Sequence, residues 1–75
     1  MKARLEKHDP AQNIARYYRM SVHPNLFGEW ALCREWGRIG RGGQVRMDLF
    51  RSQVEAESAL EQLADAKKKR DYEIV

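Results

Sequence analysis

The chain has 75 residues, of which 43% are hydrophobic and 33% charged, with a formal net charge of +3 and a sequence pI of about 9.3. This length allows one modest core and is too short for the two-lobed cleft of most enzymes, while the apolar content excludes a disordered chain. The positive charge lies in the first two thirds, where ten Lys or Arg face five Asp or Glu through Val54. That balance favours acidic partners such as nucleic acid.

The cysteine and histidine content offers no metal chemistry. Cys33 is the only cysteine, so no intrachain disulfide can form, and neither His8 nor His23 has a metal-ligand spacing to it. We expect no metal and no cofactor. The N-terminal segment MKARLEKHDP has no apolar run, and no stretch is long enough to span a bilayer. The sequence is therefore interpreted as that of a soluble, cytoplasmic chain with neither a membrane partner nor a small-molecule substrate.

Alternating side chains predict several strands. ARYYRMSVHP places Tyr18, Met20 and Val22 on one side, and the turn residues of HPNLFGEW let WALCREWGRI return as the second arm of a hairpin. QVRMDLF gives a third strand after GRGG, and RLEKH near the start is a candidate edge strand. The central strand has no purely apolar face, so we expect it to twist or bulge near Gly37. Glycine inside a strand often marks such a bulge, or a place where another backbone approaches closely.

A helix is predicted from Ser52 onward. Ser52 and Glu55 have the capping-box spacing, and Lys67 to Arg70 suit the negative end of the helix dipole, which explains KKKR without a nucleic-acid role. The fold class predicted for the single domain 1–75 is α+β, a small antiparallel sheet of three to five strands with one C-terminal α-helix packed across it. The helix residues expected to face the sheet are Ala56, Ala59, Leu60, Leu63 and Ala66.

The stretch REWGRIGRGGQ is the strongest candidate for a binding site. An exposed Trp36 could stack on a base or sugar, Arg38 could hold phosphate, and Gly37 would let a nucleic-acid backbone come near. The structural alternative is that Trp36 covers one edge of the core while Arg38 pairs with Glu35 or with the helix. The glycines form neither a dinucleotide fingerprint nor a P-loop, and no nucleophile has a partnered base, so we expect no enzyme.

The same stretch carries a resemblance to a known family. WALCREWGRIGRGGQ, with NLFGEW before it and SQVEAESALEQLADAKKKRDY after it, resembles the WGR domain from about Ala15 through Tyr72. The ordered set R-x-W-G-R-I-G, then Gln44, Phe50 and an Ala-rich helix with a basic end, is far more specific than Trp-Gly-Arg alone. The resemblance implies an antiparallel sheet with one helix.

The resemblance also implies a ligand. In DNA-dependent poly(ADP-ribose) polymerases this domain helps to bind DNA breaks: the motif Trp stacks on a sugar near a 5′ end, and the motif Arg relays binding to neighbouring domains. By position, Trp36 is the stacking residue, Arg38 the phosphate or relay contact, and Gly37 the open surface between them. This chain is more similar to stand-alone bacterial proteins of the family.

Two departures limit that transfer. Nothing in the chain resembles a transferase domain, so we expect Arg38 to have no covalent neighbour to which it could relay binding. The Arg-Gly-Tyr at the end of the family's helix is replaced by Arg70, Asp71 and Tyr72.

Two functions are therefore considered. The first is a non-catalytic module that binds nucleic acid, DNA rather than RNA and its ends or nicks in particular, without reading base sequence. The second is a protein-interaction domain that uses the same Trp-Gly-Arg surface, since Trp and Arg are frequent hot-spot residues. The candidate nucleic-acid-binding residues are Trp36, Gly37, Arg38, Arg34, Arg41 and Arg46.

Overall fold

The computed structural model describes residues 1–75 as a five-stranded antiparallel sheet crossed by one α-helix, which confirms the predicted α+β class. The elements are β1 (Lys2–Asp9), a 3-10 turn (Pro10–Gln12), β2 (Ile14–Pro24), β3 (Trp30–Arg38), β4 (Gln44–Phe50), α1 (Gln53–Lys68) and β5 (Glu73–Ile74). The strand order is β4-β3-β2-β1-β5, so the predicted N-terminal strand is not at the edge, because a short C-terminal strand pairs with it. Helix α1 is neither long nor apolar enough to cross a membrane.

The core lies between one face of the sheet and α1. Tyr18, Met20 and Val22 all point into it, as their alternation in the sequence predicted. Burying a large apolar side chain contributes about 1.5–3 kcal/mol, and four such side chains are almost completely enclosed. These four are Leu5, Met20, Leu32 and Leu60.

Helix α1 begins where the sequence predicted. The Ser52 hydroxyl accepts a hydrogen bond from the Glu55 N–H at 3.2 Å, which satisfies one of the free donors at the helix start. Ala56, Leu60 and Ala64 form the buried line of the helix, because residues four apart lie on one face. The expectation that Ala66 belongs to this line was wrong, since Ala66 is exposed.

The sequence predicted that β3 would twist or bulge near Gly37, and no bulge occurs. β2 and β3 pair one to one from Pro24↔Trp30 to Arg16↔Arg38 without an inserted residue. Gly37 instead marks a close approach of another backbone, since a Cβ at this position would lie 2.9 Å from the Cα of Gly43. The loop of residues 39–43 thus folds back against the end of β3, and both glycines are needed to leave it room.

Candidate nucleic-acid interface

The Trp-Gly-Arg motif lines a shallow depression of about 410 Å³ at the end of β3. The paired strand β2 lies on one side of the depression, and the end of α1 lies on the other. Three of its lining residues belong to the motif, and the other four come from segments distant in sequence. The lining residues are Arg16, Tyr18, Trp36, Gly37, Arg38, Lys67 and Tyr72, and we call them the Trp36 depression.

Trp36 is half-buried and has two roles at once. It packs against the hydrophobic core and stacks on Tyr18, with the ring centroids 5.8 Å apart and the planes inclined by 16°. Such an offset stack adds about 0.5–1.5 kcal/mol beyond the area it buries. Because Tyr18 covers one face of the indole, the part of Trp36 that lines the depression is rigidly oriented.

Lys67 brings a positive charge to the floor of the depression. Its ammonium nitrogen lies 4.6 Å from the ring centroid of Tyr18 and 5.4 Å from that of Tyr72, within the range of a cation–π contact. Burial, and then the positive charge of neighbouring arginines, lowers the pKa of Lys67. A bound anion would therefore be favourable at this position, because it would offset both effects.

Lys67 was missed as a site residue because its charge was attributed to the helix dipole. The signal that could have found it is spacing: Lys67 follows Leu60 by seven residues and Ala64 by three, so it continues the buried line of α1. A lysine at an inward-facing helix position is unusual, since its ammonium must reach water, an aromatic face or a ligand.

Arg38 is held in place without being neutralised. Its Nη1 donates to the carbonyl oxygen of Asn13 at 3.1 Å and its Nη2 to the Asn13 Oδ1 at 3.2 Å, and both acceptors are uncharged. The alternative in which Arg38 pairs with Glu35 does not occur, because Glu35 accepts hydrogen bonds from Tyr17 and Arg19 instead. An oriented guanidinium with its full charge remains at the rim of the depression.

The depression as a whole is positively charged without compensation. None of the ion pairs of the molecule involves Arg16, Arg38 or Lys67. Three cations and three aromatic side chains line the same depression, which is a surface suited to a phosphate beside a flat ring.

Arg34 differs from the expectation that it holds phosphate. Its side chain is only 14% exposed, and its Nη2 donates to Asp48 at 2.8 Å while its Nη1 donates to the Tyr18 hydroxyl at 3.3 Å. Burial acts to lower the pKa of Arg34, but the hydrogen bonds and charges of Tyr18 and Asp48 raise it overall. Arg34 is thus a charged residue inside the fold, and its hydrogen bond to the Tyr18 hydroxyl supports the ring on which Trp36 stacks.

The other two arginines proposed from the sequence lie apart from the depression. Arg46 is exposed on β4, and its Nε donates to Asp48 at 3.2 Å. Arg41 lies in the loop after β3, beside Tyr17 and Glu35 on the sheet face that α1 does not cover. The structure therefore brings together Trp36, Gly37 and Arg38 but places neither Arg41 nor Arg46 beside them.

The chain matches a protein family and is similar to a curated protein. The family model of the WGR domain matches residues 1–75. The chain is 46% identical over 68 residues to the uncharacterized protein y4dW of Sinorhizobium fredii, an alignment that covers 91% of this chain and 33% of that protein. The chain thus spans about a third of the length of this curated relative. No solved structure matches the chain significantly.

Proposed function

The chain belongs to the WGR domain family, which is associated with nucleic-acid binding in proteins related to poly(ADP-ribose) polymerases, and from that premise we propose that it is a non-catalytic module that binds DNA ends or nicks. The observation that carries the proposal is the Trp36 depression, in which a rigidly held indole lies among three cations without acidic partners.

Trp36 supplies the preference for an end. Inside an intact duplex both faces of each base are stacked, and the sugars are joined in a continuous backbone. At an end or a nick, a terminal base or sugar exposes a face that can stack on an indole, which contributes about 1–3 kcal/mol for a base. Because every base has such a face, this contact carries no sequence information.

The cations supply most of the affinity. Arg38, Arg16 and Lys67 surround the indole, so that phosphates on either side of a stacked terminal nucleotide come within their reach. Contacts of this kind orient the duplex without reading bases, and they release counter-ions. Binding should therefore weaken steeply as salt concentration rises.

The test compares a labelled duplex that has a free 5′ end with the same duplex closed by hairpin loops at both ends, measured by fluorescence anisotropy. Trp36→Leu removes the ring, and Trp30→Leu is the matched control, since Trp30 is also half-buried and packed against the core but lies outside the depression. We expect wild type and Trp30→Leu to prefer the open duplex, and Trp36→Leu to bind it about 5- to 150-fold more weakly.

Two results would contradict the proposal. Equal, weak and salt-sensitive binding to both duplexes would mean that the positive charge is incidental. The Trp36 surface would then be tested as a protein-binding hot spot, by the loss of a partner on Trp36→Leu. Equal losses for Trp36→Leu and Trp30→Leu would mean that the effect of the substitution is on the fold.

A further inference from the structure

Strand β4 is a free edge of the sheet. It pairs with β3 through all seven of its residues without a bulge, and its other side has no neighbouring strand. Natural edge strands are normally blunted by proline, charged side chains, a bulge or shortness. β4 has no proline, lysine or bulge, and its two charged residues, Arg46 and Asp48, have opposite signs. The opposite edge, β5, has only two residues and offers little to pair with.

The side chains of β4 separate into an apolar face and a charged face. Val45, Met47 and Leu49 are 72%, 61% and 53% exposed on the side of the sheet away from α1. Arg46 and Asp48 point to the side of α1, with Asp48 between Arg34 and Arg46. An alternating strand with three exposed large apolar residues matches a sheet edge that receives another strand.

The order of these residues is self-complementary about Met47. We propose that β4 pairs antiparallel with β4 of a second copy of the chain, with the two-fold axis at Met47. Met47 then faces the partner's Met47, Arg46 faces the partner's Asp48, and Val45 faces the partner's Leu49. Opposite charges meet on one face and apolar side chains on the other, which are the favourable cross-strand pairs of an antiparallel sheet.

Neighbouring registers are less favourable. Moving the axis to Arg46 would place two arginines directly opposite each other, and moving it to Asp48 would do the same with two aspartates. An axis between residues would pair side chains from opposite faces of the sheet, because the side-chain period of a strand is two. Charge and alternation together therefore favour Met47 over the centres on either side of it.

The consequence of this pairing is a continuous ten-stranded sheet. A two-fold axis perpendicular to the sheet leaves both helices on the same side, so the two Trp36 depressions face the same way. The association itself does not depend on DNA and would occur even if the proposed function were wrong.

The experiment is sedimentation equilibrium without DNA, at protein concentrations from about 1 µM to about 1 mM. Because Met47 faces its own copy, Met47→Lys and Met47→Glu each place like charges on the axis, while an equimolar mixture of the two places a lysine opposite a glutamate. We expect wild type to form dimers, each variant alone to dissociate about tenfold more readily, and the mixture to associate again. Leu26→Lys, at the 98% exposed tip of the β2–β3 hairpin, is the control that should leave the dimer unchanged.

Three outcomes would overturn the proposal. A wild type that remains monomeric throughout would exclude the contact. Dimers that survive Met47→Lys but are lost in Leu26→Lys would place the contact at the hairpin tip. Failure of the mixed variants to associate would exclude the register, provided that their melting temperatures match wild type, as the exposure of Met47 leads us to expect.

Discussion

Arg34 and Arg38 lie on the same strand face, four residues apart, and the structure predicts opposite consequences when each is replaced by glutamine. Arg38 is exposed and bound to uncharged acceptors of Asn13, so Arg38→Gln removes a charge from the depression and leaves the fold intact. Arg34 is enclosed between Asp48 and Tyr18, so Arg34→Gln removes its contacts with both and destabilises the fold.

The size of each effect follows from these contacts. Each phosphate contact adds about 0.9 to the steepness with which log affinity falls as log salt concentration rises. Between about 1 M and about 0.15 M salt, one such contact therefore changes the affinity about fivefold. Arg38→Gln should therefore lower the slope by about 0.9 and weaken binding about fivefold. Arg34→Gln should cost about 2 kcal/mol, because it removes an ion pair and a hydrogen bond that are only partly exposed to water. The melting temperature should then fall by about 10 °C.

The assay is a salt titration of the open duplex by fluorescence anisotropy, with thermal unfolding of each variant followed by circular dichroism. Arg34→Gln is measured well below its melting temperature, so that a folded protein is compared with wild type. If folded Arg34→Gln lowered the salt slope as much as Arg38→Gln, or if Arg38→Gln lowered the melting temperature as much as Arg34→Gln, the separation of roles argued from the structure would be refuted.

Three further predictions concern Lys67, Gly43 and Asp71. Because burial and nearby arginines lower the pKa of Lys67, this side chain should lose its charge at a lower alkaline pH than an ordinary lysine, and the affinity of the wild type for DNA should fall there. Lys67→Arg stays charged and should flatten this pH dependence in anisotropy titrations. An unchanged pH profile would mean that Lys67 does not contact phosphate. A Cβ on Gly43 would lie 2.0 Å from the Trp36 carbonyl oxygen, so Gly43→Ala should displace the loop and destabilise the fold by about 1–3 kcal/mol in urea unfolding. A Cβ on Gly42 would meet nothing within 4 Å, so Gly42→Ala should leave the stability unchanged. Asp71 has a φ of 69° just after the helix, so Asp71→Gly should stabilise the chain by about 0.5–1 kcal/mol in the same measurement, and a loss of stability would refute the strain argument.

Local patterns in the sequence were sufficient to predict most of the fold. The alternation of Tyr18, Met20 and Val22 defined the buried face of β2, because a strand repeats every two residues. The spacing of Ser52 and Glu55 defined the start of α1, because the cap is a contact between near neighbours. β5 was not predicted, since two residues carry no periodicity and pair only because β1 is already in place.

The site could be predicted only where it is contiguous in sequence. The motif residues were found from REWGRIGRGGQ, whereas Arg16 on β2, Lys67 on α1 and Tyr72 after the helix were not, although they line the same depression. These residues become neighbours through strand pairing and the packing of α1, and no local pattern encodes that proximity.

The sequence by itself determined that Arg34 and Arg38 share a face of β3, since the side-chain period of a strand is a local property. Only the tertiary structure decided that they differ in role, because the neighbours of each guanidinium come from other elements. Asp48 on β4 neutralises Arg34, while the turn before β2 offers Arg38 only the uncharged oxygens of Asn13. The electrostatic free energy of a charge depends on the groups within a few ångströms of it, and these are fixed by which strands lie side by side.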